Sequence, residues 1–104
     1  LRPALYDAQY FAALANRTSS APKISSRIVG KHCETGDILI REIELESDIV
    51  PGDLLATPAT GAYGRSMATN YNHVPRPPVI AVKDGKARVI LRRETEADLL
   101  GLDI

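Results

Sequence analysis

Cysteine is almost missing from this sequence: its 104 residues hold a single one, Cys33. One thiol excludes an intrachain disulfide and fits a reducing, cytoplasmic setting. A charge excess is missing too, because thirteen basic and thirteen acidic residues give a formal net charge of zero. That balance argues against nucleic acid or an anionic membrane as the main partner, since both select a basic excess. No apolar run approaches the roughly 20 residues of a membrane span, and the first residues do not read as a basic-then-apolar leader. No internal repeat or low-complexity tract is present. Methionine does not open the chain, and the Leu1-Arg2-Pro3 start is expected to be a cut inside a longer protein. The length suits one compact domain over residues 1–104, with a core of its own.

What is present reads mostly as short strands joined by turns. Residues 2–7 suit a short helical turn, with Pro3 early in it. The apolar stretch 8–15 is read as strand, and "NRTSSAPK" (16–23) as loop. "ISSRIVG" reads as a strand that delivers the cysteine segment. In "REIELESDIVPGD", Ile43 and Leu45 alternate with Glu42, Glu44 and Glu46, the pattern of a half-buried strand. Pro51-Gly52 is turn chemistry, and "LLATPAT" reads as a buried strand running to Gly61. Two β-rich runs flank Asp84-Gly85, a strong hairpin signal. Thr95 and Asp98 have the spacing of a capping box, so a short helix is expected to close the chain. The expected fold is mainly β: a Greek-key-like barrel or sandwich with short helices, whose chemistry must sit on loops.

Three loops carry chemistry: "RPALYDA", "GKHCETGD" and "TGAYGRSMATNYN". Cys33 alone reads as readily as a small buried hydrophobe. His32, Cys33 and Glu34 include metal-ligand types. However, neighbours in extended chain point to opposite faces, and no CxxC or HxxxH completes a set, so no metal is expected. Gly61 and Gly64 around Tyr63 permit close backbone approach to something held there. His73 reads as an incidental histidine, and the charges between Lys86 and Glu96 as a solvated face.

Together, "RPALYDA", "GKHCETGD" and "PGDLLATPATGAYGRSMATNYN" resemble, in order and spacing, the carboxy-terminal domain of the diaminopimelate decarboxylases, and "RPPVIAVKDGKARVILRRETEADLL" fits that family as well. The resemblance implies a pyridoxal 5'-phosphate enzyme that converts meso-diaminopimelate to lysine and CO2. It implies a homodimer in which this β-domain faces an amino-terminal TIM-like barrel of the partner subunit. By the same resemblance, Arg2 and Tyr6 hold a substrate carboxylate and Glu34 meets the distal ammonium. Tyr63 reaches the cofactor phosphate and the substrate, and Cys33 returns a proton. An arginine fork suits planar carboxylate recognition, and a thiol that stays protonated at neutral pH suits the acid.

Departures from a whole enzyme are equally clear. None of Lys23, Lys31, Lys83 and Lys86 matches the cofactor-binding lysine such chemistry needs, and no phosphate-binding glycine loop is recognisable. The chain alone is therefore expected to be inactive, with an unpaired edge or exposed apolar patch. Two other readings compete. A β-domain of an ornithine- or arginine-type decarboxylase would carry aspartate after the cysteine and lack the RPxLY pair. A non-catalytic β-barrel binding module would need a closed sheet of its own.

Overall fold

The computed structural model describes residues 10–104; the expected helical turn at 2–7 and the first residues of the 8–15 stretch lie outside them. The chain is mainly β, with six strands and short helices among the described residues. Its strands pair two by two, all antiparallel: β1 (Ala13–Leu14) with β4 (Leu55–Ala56), β2 (Lys23–Val29) with β3 (Ile38–Glu46), and β5 (Val79–Lys83) with β6 (Lys86–Leu91). Among the described residues these pairs show neither barrel closure nor a Greek-key crossing. Contacts cluster in two compact units, one ending at Met67 and the other spanning Ala68–Ile104.

In the first unit the β2–β3 ribbon does most of the organising. Ser26 faces Ile43 and Ile28 faces Ile40, so Arg27 stands opposite both Arg41 and Glu42. This bulge, bridged by Arg27 Nε donating to the Arg41 carbonyl at 3.3 Å, shifts the phase of β3 by one residue. Strict alternation would set Ile40 on the face opposite Ile43 and Leu45. With the bulge, Ile40 and Leu45 are both buried, and together with Ala12 they are the buried apolar residues. A second register shift follows between Ile28 and Val29, next to the hairpin tip formed by residues 30–37.

The 54–60 stretch differs from the expected buried strand. Only Leu55–Ala56 pair, and Leu54 and Leu55 are exposed, because β1 offers a partner just two residues long. Arg17 clamps this region. Its guanidinium donates to the Asp53 carboxylate twice, at 3.0 and 2.8 Å, and to Asp48. That fork, then the Val50 N–H and the Asn16 amide, hold the Asp53 carboxyl far below the usual carboxylate range. Residues 61–67, read as loop, form the helix α1 (Gly61–Met67).

In the second unit Asp84 and Gly85 both take positive φ, 50° and 72°, between the Lys83–Lys86 pair. That is the two-residue type I′ hairpin expected from Asp-Gly. The 3-10 turn Tyr71–His73 precedes β5. The closing helix α2 (Glu96–Leu99) has its full capping box: Thr95 accepts from the Asp98 N–H, and the Asp98 carboxylate accepts from the Thr95 N–H at 2.7 Å. The charged stretch around it is more than a solvated face. Glu94 accepts from the Arg76 N–H and the Asn70 amide, both at 2.7 Å, and Arg92 forks onto Asp98.

Candidate active site

The cysteine segment occupies the tip of the β2–β3 hairpin. The Gly30 N–H donates to the Asp37 carbonyl at 2.8 Å, closing the strand end, and the Asp37 N–H donates to the Glu34 carbonyl at 3.0 Å. Within that closed loop Cys33 is exposed and has φ of 54°. A residue with a Cβ avoids this left-handed region unless its surroundings impose it. Ala59, Asn72 and His73 share the feature, so the positive-φ residues without glycine's freedom lie, apart from the Asp84 turn, in or beside the loops singled out from sequence.

Asp37 is the buried charged residue of the described part, 4% exposed. Its Oδ2 accepts from the His32 N–H at 3.1 Å and lies 2.8 Å from His32 Nδ1. Burial alone would push the Asp37 carboxyl up; the side-chain and backbone bonds from His32 outweigh it and leave the group below the usual carboxylate range. The carboxylate also packs directly over Gly30, where a Cβ would overlap it. Glu34 turns back on its own loop, its Oε1 accepting from the Gly36 N–H at 2.8 Å and from the Thr35 hydroxyl at 3.4 Å. His32 therefore faces Asp37 and Glu34 faces Gly36. Among the described residues no set of three His, Cys, Asp or Glu side chains is placed to hold a metal.

Tyr63 lies on α1, and its side chain is outside the described part, as are Arg2 and Tyr6. A Cβ at Gly61 or Gly64 would meet nothing within 4 Å. The packing of the described residues does not require those glycines. On the same helix Arg65 Nε is buried without a hydrogen-bond partner. Of the sequence-based site residues, then, the structure shows Cys33 and Glu34 side by side on one hairpin tip. It adds His32 and Asp37, which no local motif marks as partners.

Lys23, Lys31, Lys83 and Lys86 are all exposed, on strand ends or loop positions. The open groove on the bulged ribbon is lined by Ser25, Ser26, Arg27, Arg41 and Glu42, with no lysine.

Residues 1–61, which include the whole hairpin, match the family described as pyridoxal-dependent decarboxylase, C-terminal sheet domain. The chain belongs to this family. It is 54% identical over all 104 residues to a diaminopimelate decarboxylase of Mycobacterium bovis and 51% identical to one of Bacillus subtilis. It covers 23% and 24% of their lengths, so it spans about a quarter of the curated relatives it matches. A solved diaminopimelate decarboxylase from M. jannaschii, in complex with L-lysine, superposes with a TM-score of 0.86 at 39% identity. That match covers 99% of this chain and 23% of the other.

Proposed function

We propose that this chain is the carboxy-terminal β-domain of a diaminopimelate decarboxylase, which forms lysine and CO2 from meso-2,6-diaminopimelate. The observation that carries the reading is the identity of 50% or more, extending over the full 104 residues, with diaminopimelate decarboxylases from several bacteria. The lysine bound to the M. jannaschii relative is the product this reaction would leave.

In this reading pyridoxal 5'-phosphate is held mainly by an amino-terminal barrel domain, and supplies the electron sink that lets a carboxylate leave an amino acid. This domain brings side chains to an active site shared between the two subunits of a cytoplasmic homodimer. Arg2 and Tyr6 bind a substrate carboxylate, a pairing for which a planar guanidinium fork and a phenol donor are suited. Glu34 supplies negative charge for the distal ammonium, its carboxylate set in place by the Gly36 N–H. Tyr63 contacts cofactor phosphate and substrate, and the open surface beside Gly61 and Gly64 leaves room there. Cys33, exposed at the hairpin tip, gives a proton to the carbon that has lost its carboxylate.

Steady-state kinetics on meso-diaminopimelate, with the protein that joins this domain to its pyridoxal-phosphate-binding domain, test the assignment. Arg2→Ala and Glu34→Ala each lower kcat/KM roughly 10- to 100-fold, the loss of one charge-assisted contact of about 1.5–3 kcal/mol. Near-wild-type efficiency in both variants, or preferential turnover of ornithine or arginine by the unaltered protein, refutes it.

A further inference from the structure

We propose that Asp37 is a positioning residue for the Cys33 acid, holding the backbone on both sides of it, at the His32 N–H and the Glu34 carbonyl, so that its thiol stands in one place. The proposal rests on the reading of Cys33 given above. Its basis is the way Asp37 grips the loop at each flank of the cysteine. On one side, the Asp37 carboxylate takes the N–H of His32 at 3.1 Å and lies 2.8 Å from its ring nitrogen. On the other, the Asp37 N–H donates to the carbonyl of Glu34 at 3.0 Å. The α-carbons of His32, Cys33 and Glu34 lie between these two anchors, and Cys33, at the centre, is the one with φ of 54°. A left-handed conformation at a residue with a Cβ persists when flanking contacts over-determine it. Asp37 supplies those contacts from a position 4% exposed to solvent, where an unpaired carboxylate would not be tolerated.

Gly30 completes the device. Its missing side chain leaves the space that the Asp37 carboxylate fills, and its N–H donates to the Asp37 carbonyl at 2.8 Å. The contacts of the Asp37 side chain run to the loop itself, through the N–H and ring of His32. It acts through Cys33 alone.

A double-mutant cycle in the enzyme joined to its pyridoxal-phosphate-binding domain tests this, with hydrogen exchange of residues 30–37 as a second readout. Asp37→Ala lowers kcat about tenfold or more, because a displaced acid no longer meets its target, while KM changes little. Asp37→Asn, whose amide oxygen still accepts from the His32 N–H, recovers part of that loss. In a Cys33→Ala background Asp37→Ala has no further effect on kcat. Equal losses with and without Cys33 overturn the proposal, as does unchanged exchange of the His32 amide in Asp37→Ala. If Cys33→Ala itself retains wild-type kcat, the reading of Cys33 fails and the catalytic half of the proposal fails with it. The exchange measurement then decides separately whether Asp37 holds the loop.

Discussion

Gly30→Ala places the smallest possible side chain where the structure has the least room. A Cβ at Gly30 overlaps the Asp37 carboxylate, so one of the two must move. Asp37 is not the loose end of a flexible chain: it is 4% exposed and tied to the N–H and ring of His32. Each bond to a charged acceptor contributes about 1.5–3 kcal/mol, and alanine's narrower unfolded ensemble returns about 0.4–1 kcal/mol. A displacement that breaks one bond therefore costs about 0.5–2.5 kcal/mol, and one that breaks both costs about 2–5.5 kcal/mol. The two cases meet near 2 kcal/mol, which is roughly a 30-fold rise in local opening. Amide exchange across residues 30–37 is the direct assay, since it reads that opening without requiring the rest of the molecule to unfold. Removing the obstacle gives the control. In an Asp37→Ala background, Gly30→Ala adds less than about 0.5 kcal/mol, because the atoms it struck are gone. Unchanged exchange in Gly30→Ala, or an equal cost in both backgrounds, refutes the steric argument.

Two further outcomes follow from the same physics. The Asp53 carboxyl is held below its ordinary range, first by the Arg17 fork, so its stabilising contribution is full above the unfolded value of about 3.9 and is lost as pH falls below it. Carbon-detected NMR titration of Asp53 shows a midpoint below that value, and Arg17→Ala moves it upward; an unmoved midpoint discounts the clamp. Two alanine substitutions at glycines with open space around them act in opposite directions. Gly85→Ala, at φ of 72°, loses about 1–2 kcal/mol from backbone strain, whereas Gly64→Ala, within α1, gains about 0.5–1 kcal/mol. Thermal unfolding monitored separately in the two units checks the signs, and equal signs contradict the account.

Features encoded by neighbouring residues were legible in the sequence. Asp84-Gly85 and the Thr95–Asp98 box carry their whole mechanism within four residues, and both form as expected. The location of the cysteine loop was legible for the same reason, bounded by β-rich runs. Its internal wiring was not, because nothing local distinguishes a buried Asp37 from an exposed one; its burial depends on Gly30 leaving room seven positions away. The pairing of Arg17 with Asp53 spans 36 positions and leaves no periodic trace. Ile40 illustrates a different failure. Alternation from Ile43 assigns it to the wrong face, and only the bulge opposite Arg27 brings it back. The helix α1 was hidden by Gly61 and Gly64, residues that weaken a helix, so propensity favoured a loop.

The β5–β6 ribbon bears on which reading of function can hold. Register places Ile80, Val82, Ala87 and Val89 on one face, and Ala81 and Val79 with Lys83, Lys86 and Arg88 on the other. The first face is apolar throughout its paired residues, the kind of face an antiparallel sheet buries. The apolar face is nevertheless open, with Ile80 43%, Val82 72% and Val89 58% exposed. A two-stranded ribbon is marginal in water without a third strand or a packing partner. A free-standing binding module would have to cover that face from its own residues, and within its own unit, Ala68–Ile104, the face is left open. In the proposed reading that face would pack against the remainder of a larger decarboxylase, whose curated relatives are about four times as long as this chain. The exposed apolar face therefore weighs against the free-standing module, independently of any identity in the loops.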